Sequence, residues 1–460
     1  MKYTFYHVTD THYYSKKNYD GDPWLLPQWN DQIAMRESEE IIKKAFSIIS
    51  NDTEAQAVIL TGDITHHGDE ESCNEMLRIL NDTEKYKKVI AFIDSHDYFP
   101  EGIRFDKNGK PYPKQATTRE KVLPLFTKFN TDKAIDIYKD DFSCVIQLNE
   151  KLRFLILSYE SSEKGPYISE EYFEWVKLQA NKAKHDGCVL IAGIHPPLIS
   201  PNPAYSIMGK GNIVVNSQEI GQKFAKAGIP LVLCGHSHMQ AINCTASSEG
   251  GKMYCVSTSS LVGSPPKMRR ITFDSSDMTF DIKTITMDLP ELNLGMPLVD
   301  YCRKGFLGSL EEIPYNMQYD IEKFIETGGG VNLPKKFIKR HKRLVMFLGK
   351  KLNNLDFGKL AKLSKRITKL KKREYAEISD KKIVPFIFQV IDGIYSGNRF
   401  LKSDSKEYII IMGCVARLDK IIKFFKIDLN KLTGFSNLKD IVIPLLINSD
   451  IDNDNALLQI

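Results

Sequence analysis

Five short apolar runs, each closed by carboxylate or imidazole side chains, constrain this chain more than any other feature. "YTFYHVTDTH" ends in Asp10 and His12, "AQAVILTGD" in Asp63, "KKVIAFIDSHD" in His96 and Asp97, "CVLIAGIHPP" in His195, and "PLVLCGHSH" in His236 and His238. The runs read as buried strands. Between them lie amphipathic stretches such as "DQIAMRESEEIIKKAFSII", where Ile33, Ile41, Ile42, Ala45, Ile48 and Ile49 share one helical face. Strands alternating with helices predict a layered α/β architecture. In open α/β sheets ligands bind beyond the carboxyl ends of the strands, so the pattern places oxygen and imidazole donors at one rim.

Any one of these clusters is weak evidence. A lone histidine is more often a surface or core residue than a ligand, and an aspartate after Leu-Thr-Gly suits an ordinary turn. The ordered set is far more specific, and His7, His66, His67, His185 and His341 fall outside it. Carboxylate and imidazole donors without thiolate suit manganese, iron, zinc or a similar first-row ion.

Taken in order, the motifs resemble the calcineurin-like metallophosphoesterase superfamily, whose signature runs D-x-H, G-D, G-N-H-D/E, an isolated histidine, and G-H-x-H. The matching residues are Asp10-Thr11-His12, Gly62-Asp63, His96-Asp97, His195 and Gly235-His236-Ser237-His238, within about residues 1–287. The resemblance implies a sandwich of two β-sheets flanked by helices, with two divalent metal ions at its rim. It implies Asp10, His12 and His238 on the first ion, His195 and His236 on the second, and Asp63 bridging both. Where the family places an asparagine on the second ion this chain has Ser95, so that site is expected to be altered and more easily emptied, with Asp94 a rival ligand.

The chemistry implied is hydrolysis of a phosphate ester, a phosphodiester by preference, by metal-bound hydroxide. Two cations held roughly 3.5–4 Å apart bring the pKa of a bridging water toward about 7 and clamp the phosphate oxygens. His96 would protonate the leaving group and Asp97 would orient its ring. The rival expectation is a binding or scaffolding protein that keeps the fold with a weakened second metal site. It would hold a nucleic-acid, membrane or protein partner through basic helices.

Those helices belong to the second part of the chain. With 460 residues there is room for two or three domains. The strand–helix alternation stops near "MDLPELNLGMPLVD", which predicts a catalytic domain over 1–287, a linker over 288–300 and a helix-rich domain over 301–460. "ETGGGVNLP", residues 326–334, reads as a flexible joint. Residues 335–373 hold sixteen Lys/Arg against one acid, so although the whole chain is +5, the remainder is net acidic by about ten. Three readings of this segment stand side by side: a solvated surface, a nucleic-acid contact, and a contact with an anionic membrane. The eight cysteines show no CxxC pair or disulfide spacing. No apolar run approaches the roughly 20 residues of a membrane span, and the N-terminus lacks a signal-peptide core. The expectation is a cytoplasmic protein with reduced thiols.

Overall fold

The computed structural model describes residues 1–460 except 23–25, 27–31, 99–100, 116, 140–141, 210 and 327–334. The expected joint at 326–334 therefore lies almost wholly outside the described residues. Two sheets carry the architecture. The strands of the first are β1 (Lys2–Val8), β2 (Ala55–Thr61) and β3 (Lys88–Phe92). Those of the second are β4 (Ala134–Ile137), β5 (Cys144–Asn149), β6 (Leu152–Ile156), β7 (Val189–Gly193), β8 (Leu231–Cys234), β9 (Ala241–Ala246) and β10 (Lys252–Ser257). The chain then returns to the first sheet with β11 (Lys267–Asp274), β12 (Thr279–Thr286) and, at its far end, β13 (Asn455–Gln459). The strand orders are β13-β12-β11-β1-β2-β3 and β9-β10-β8-β7-β6-β5-β4. β1, β2 and β3 run parallel, as do β6, β7, β8 and β10.

The alternation of side chains along each strand explains the layering. Phe5, Ala57, Ile59, Ile90 and Phe92 of the first sheet meet Phe154, Ile191, Leu233 and Val256 of the second in one core between the sheets. The intervening residues Tyr6, Val8, Val58, Leu60 and Val89 face the helices Ser38–Asn51 and Glu70–Glu84. On the far side Leu155, Leu190 and Val232 face the helices Glu170–His185 and Ser217–Ala227. Strands buried on both faces read as continuous apolar runs, as the parallel ones do here. The helix expected from "DQIAMRESEEIIKKAFSII" begins only at Ser38, with Glu39 and Glu40 in its first turn; Ile33 is buried ahead of it.

Beyond β12 the chain is helical: Leu298–Tyr319, Lys342–Asn353, Phe357–Thr368, Ile383–Ser396 and Lys406–Phe424 are its longer members. This region has a core of its own around Phe357, Phe386 and Ile410. It is also anchored to the sandwich, because Leu298, Tyr301 and Cys302 are buried with the helices over the first sheet. The last strand pairs with β12, setting Leu458 opposite Phe280. Among the described residues no helix is long and apolar enough to cross a membrane.

Asn453 ties these parts together. Its Oδ1 accepts from Ile242 N–H at 2.8 Å and its Nδ2 donates to the Gly397 carbonyl at 2.9 Å, all buried. Asn453→Ala leaves a buried donor and acceptor unmatched and should cost about 1–3 kcal/mol of stability, measured as a shift in the urea midpoint.

Candidate metal centre

The loop after β1 is zipped to the loop after β2. Asp10 N–H donates to Gly62 O at 3.2 Å, His12 N–H to Asp63 O at 3.0 Å, and Thr11 Oγ1 to Ile64 O at 2.6 Å. The parallel register of the two strands thus continues past their ends and brings the D-x-H and G-D residues side by side. Asp10, His12, Asp63, His236 and His238 all have positive φ, between 39° and 62°. Non-glycine residues seldom adopt this conformation, and it costs energy that surrounding structure must meet, so its recurrence marks a functional rim.

Two groups of donors converge there. His12 Nε2 and His238 Nε2 are 3.0 Å apart, and Asp10 Oδ1 lies 3.2 Å from the latter and 3.7 Å from the former. In the second group His195 Nε2 is 2.9 Å from Asp63 Oδ2, and the His195 and His236 rings are 5.1 Å apart. Each group could hold one metal ion. Ligands about 2.1 Å from one tetrahedral cation stand roughly 3.4 Å from one another, close to the spacings seen. The groups adjoin, since Asp10 Oδ1 is also 3.8 Å from His195 Nε2. His195 Nδ1 lies 2.6 Å from the Thr61 carbonyl, so Nδ1 carries a proton and Nε2 is the nitrogen that faces the site.

The electrostatics ask for a cation. Burial opposes charge on His195, yet Asp63, Asp94 and Asp10 together raise its pKa well above the usual imidazole value. Burial would raise Asp10 as well, but His195 and His238 hold it well below the carboxylate range. His12 and His236, buried and close to other imidazoles, are both lowered to about 4, which leaves them neutral donors.

Ser95 begins a 3₁₀ turn, Ser95–Tyr98, because β3 has already ended at Phe92. Asp94 lies between the two, so strand alternation does not set the direction of its side chain. The buried Asp94 carboxylate accepts from Ser95 N–H at 2.6 Å and from the Tyr159 hydroxyl at 2.9 Å, while its charge acts on His195. The Ser95 side chain is half-buried.

Asp97 departs from its expected task. Its carboxylate accepts from Ile64 N–H, Thr65 N–H, Thr65 Oγ1 and Asp94 N–H at 2.7–3.2 Å, because the 3₁₀ turn folds it beneath the loop after β2. Orientation of the His96 ring comes instead from the His66 carbonyl, 2.9 Å from His96 Nδ1, and His96 N–H donates to Asp63 Oδ1 at 3.1 Å. Burial, followed by the Asp63 charge, pushes the Asp97 carboxyl up to about 7.

His66 and His67 were not singled out from the sequence, yet both are buried here. His66 stacks on His96 with ring centroids 5.7 Å apart and, with His12 and His96, forms a third group of donors. The one signal was their position, three and four residues after Asp63 in "GDITHHG".

A two-sheet sandwich with aspartates and histidines of five strand ends gathered at one rim is the frame of a metal-dependent phosphoesterase. Residues 3–240 match the calcineurin-like phosphoesterases, and the chain belongs to that family. Among solved structures it is similar to a dimetal phosphatase from Danio rerio, at 12% identity over 62% of this chain and 98% of that one, with a TM-score of 0.42. The sulfate thiohydrolase SoxB of Thermus thermophilus aligns at 12% identity over 67% of this chain and 61% of its own, TM-score 0.32. The phosphopantetheinyl hydrolase of Mycobacterium tuberculosis aligns at 12% identity over 56% and 90%, TM-score 0.30. Comparison with curated protein sequences gives no match.

Gly62 has φ +94°, and a Cβ there would come within 2.7 Å of His195 Nδ1 and 3.0 Å of Asp94 Cβ. Gly62→Ala should therefore weaken metal binding by about tenfold or more, the scale seen when support for a ligand is disturbed, with circular dichroism unchanged. Calorimetric titration of metal-stripped protein measures this; an unaltered affinity would remove His195 from the site.

Proposed function

We propose that the protein hydrolyses a phosphate ester, a phosphodiester by preference, at a dinuclear centre. Asp10, His12 and His238 would hold one divalent cation and His195 and His236 the other, with Asp63 available to both. The observation that carries this reading is the contiguity of the two donor groups, with Asp10 Oδ1 3.2 Å from His238 and 3.8 Å from His195. Bound manganese, iron or zinc supplies Lewis acidity that activates water and neutralises the phosphate. Asp63 suits the shared position because its Oδ2 faces His195 while its charge also acts on His12.

The chain's own groups supply the rest. His96, half-buried with Nδ1 on the His66 carbonyl, leaves Nε2 to protonate the leaving oxygen. Asp97 holds the loop that carries Asp63, a positioning role. Ser95 would offer a second cation only a short neutral oxygen donor where the family has asparagine, so Asp63, His195 and His236 would be its chief protein ligands. Residues 1–287, completed by the strand 455–459, form the catalytic unit in this reading. The eight free thiols fit a cytoplasmic setting.

Chelation should abolish hydrolysis of bis(p-nitrophenyl) phosphate and added manganese, iron or zinc should restore it; activity that survives complete metal removal sinks the proposal. His96→Ala should keep metal content and lower turnover by about 10²- to 10⁴-fold, less for nitrophenolate than for alkoxide leaving groups. An equal loss across leaving groups would exclude the acid role. Ser95→Asn should tighten the weaker cation about tenfold while Asp94→Ala changes it little, both read by metal titration. The opposite ranking would make Asp94 the ligand.

A further inference from the structure

The phosphoesterase reading leaves one large surface unused. In the helix Lys406–Phe424 the buried residues are Ile410, Gly413 and Val415, and Gly413 sits against Ser364 and Thr368 of the helix Phe357–Thr368. The last turns of the former helix point Leu418, Ile421 and Phe424 into solvent, and Phe425 follows; Phe424 is 80% and Phe425 66% exposed. Leu363 is exposed on the adjoining helix, whose backbone carbonyl at that residue receives Arg417. The helix Lys342–Asn353 repeats the arrangement, burying Val345 and Gly349 while Leu344, Phe347 and Leu348 stand exposed and the Lys351 ammonium lies 5.3 Å from the Phe347 ring.

Cations are interleaved with these apolar groups. Lys362, Lys365, Arg366, Lys420 and Lys423 form no ion pair within 4.0 Å among the described residues. Contiguous exposed apolar side chains mark an interaction site, and the unpaired cations specify its chemistry. An anionic bilayer surface rewards both, taking Phe and Leu below the headgroups and lysines at the phosphates. A nucleic-acid backbone rewards the cations and leaves the aliphatic side chains in water. A second copy of the same face would set lysine against lysine. The chain outside residues 335–373, net acidic by about ten, would turn away from such a bilayer and orient the basic face toward it.

We infer that the face built by the helices Phe357–Thr368 and Lys406–Phe424 docks the protein on an anionic lipid surface, lying on the bilayer without crossing it. This stands apart from the identity of the ester hydrolysed. The test is flotation of the full chain with vesicles of phosphatidylcholine alone and of equal parts phosphatidylcholine and phosphatidylglycerol. Binding is expected only to the mixed vesicles and is expected to weaken with salt. Phe424→Ser/Phe425→Ser keeps every charge and should reduce it by about tenfold or more. Lys420→Gln/Lys423→Gln keeps every apolar group and should reduce it comparably. All four residues are exposed, so thermal melting and hydrolysis of bis(p-nitrophenyl) phosphate should be unchanged. No flotation with the mixed vesicles overturns the inference, as does flotation indifferent to the phenylalanine pair. Retention on poly(uridylic acid) without vesicle binding would assign the face to nucleic acid. A dimer dispersed by the phenylalanine pair, again without vesicle binding, would assign it to a second copy.

Discussion

Four carboxylates, Asp10, Asp63, Asp94 and Asp97, are buried within one small volume at the ends of β1, β2 and β3, and the surrounding structure is organised around compensating them. An isolated buried charge is expensive. Asp97 meets the cost through four hydrogen-bond donors and a raised pKa, and Asp94 through Ser95 N–H and the Tyr159 hydroxyl. Asp10 and Asp63 are compensated differently, by imidazoles. Asp63, Asp94 and Asp10 raise the basicity of His195 against the effect of burial, so negative charge dominates around it, and a divalent cation in each donor group would offset that charge.

The geometry that concentrates this charge depends on close backbone approach. Gly62 admits His195, and Gly235 lies so near Thr9 and Asp10 that any side chain would overlap them. His236 N–H, next in sequence, donates to the Asp10 carboxylate at 2.9 Å. The loops of the two sheets are thus locked to each other through the donors themselves. Positive φ at five of these residues is sustained by that lock and not by local preference.

The helical region reaches the same rim from behind. Gln240, two residues beyond His238, donates its N–H to the Tyr395 carbonyl and its side-chain amide to Asp454, and accepts from Ser259 N–H. Lys267, buried, pairs with Asp454 at 2.8 Å and reaches the Ser396 carbonyl. The loop that carries His238 into the site is therefore braced by residues more than 150 positions later, so the helices and the candidate metal centre are mechanically joined. A surface that places those helices on a bilayer would also fix the direction in which the rim opens.

The residue types gathered at the candidate metal centre, their order, and the strands that present them were legible in the sequence. An apolar run ending in Asp or His is a local statement about burial and solvent, and periodicity carries it. The layered α/β fold and the helical character of the second half followed from the same periodicities. Tertiary structure alone decided the partners. Asp97 is adjacent to His96 in the chain, yet a single 3₁₀ turn commits its carboxylate to the loop after β2 and hands His96 to the His66 carbonyl. His66 acquires its place beside His12 only when two parallel strands align their loops, and the strand 455–459 forms where β12 offers it an edge. Sequence specifies what each segment must hide from water; which donor faces which acceptor depends on long-range packing that no local pattern encodes.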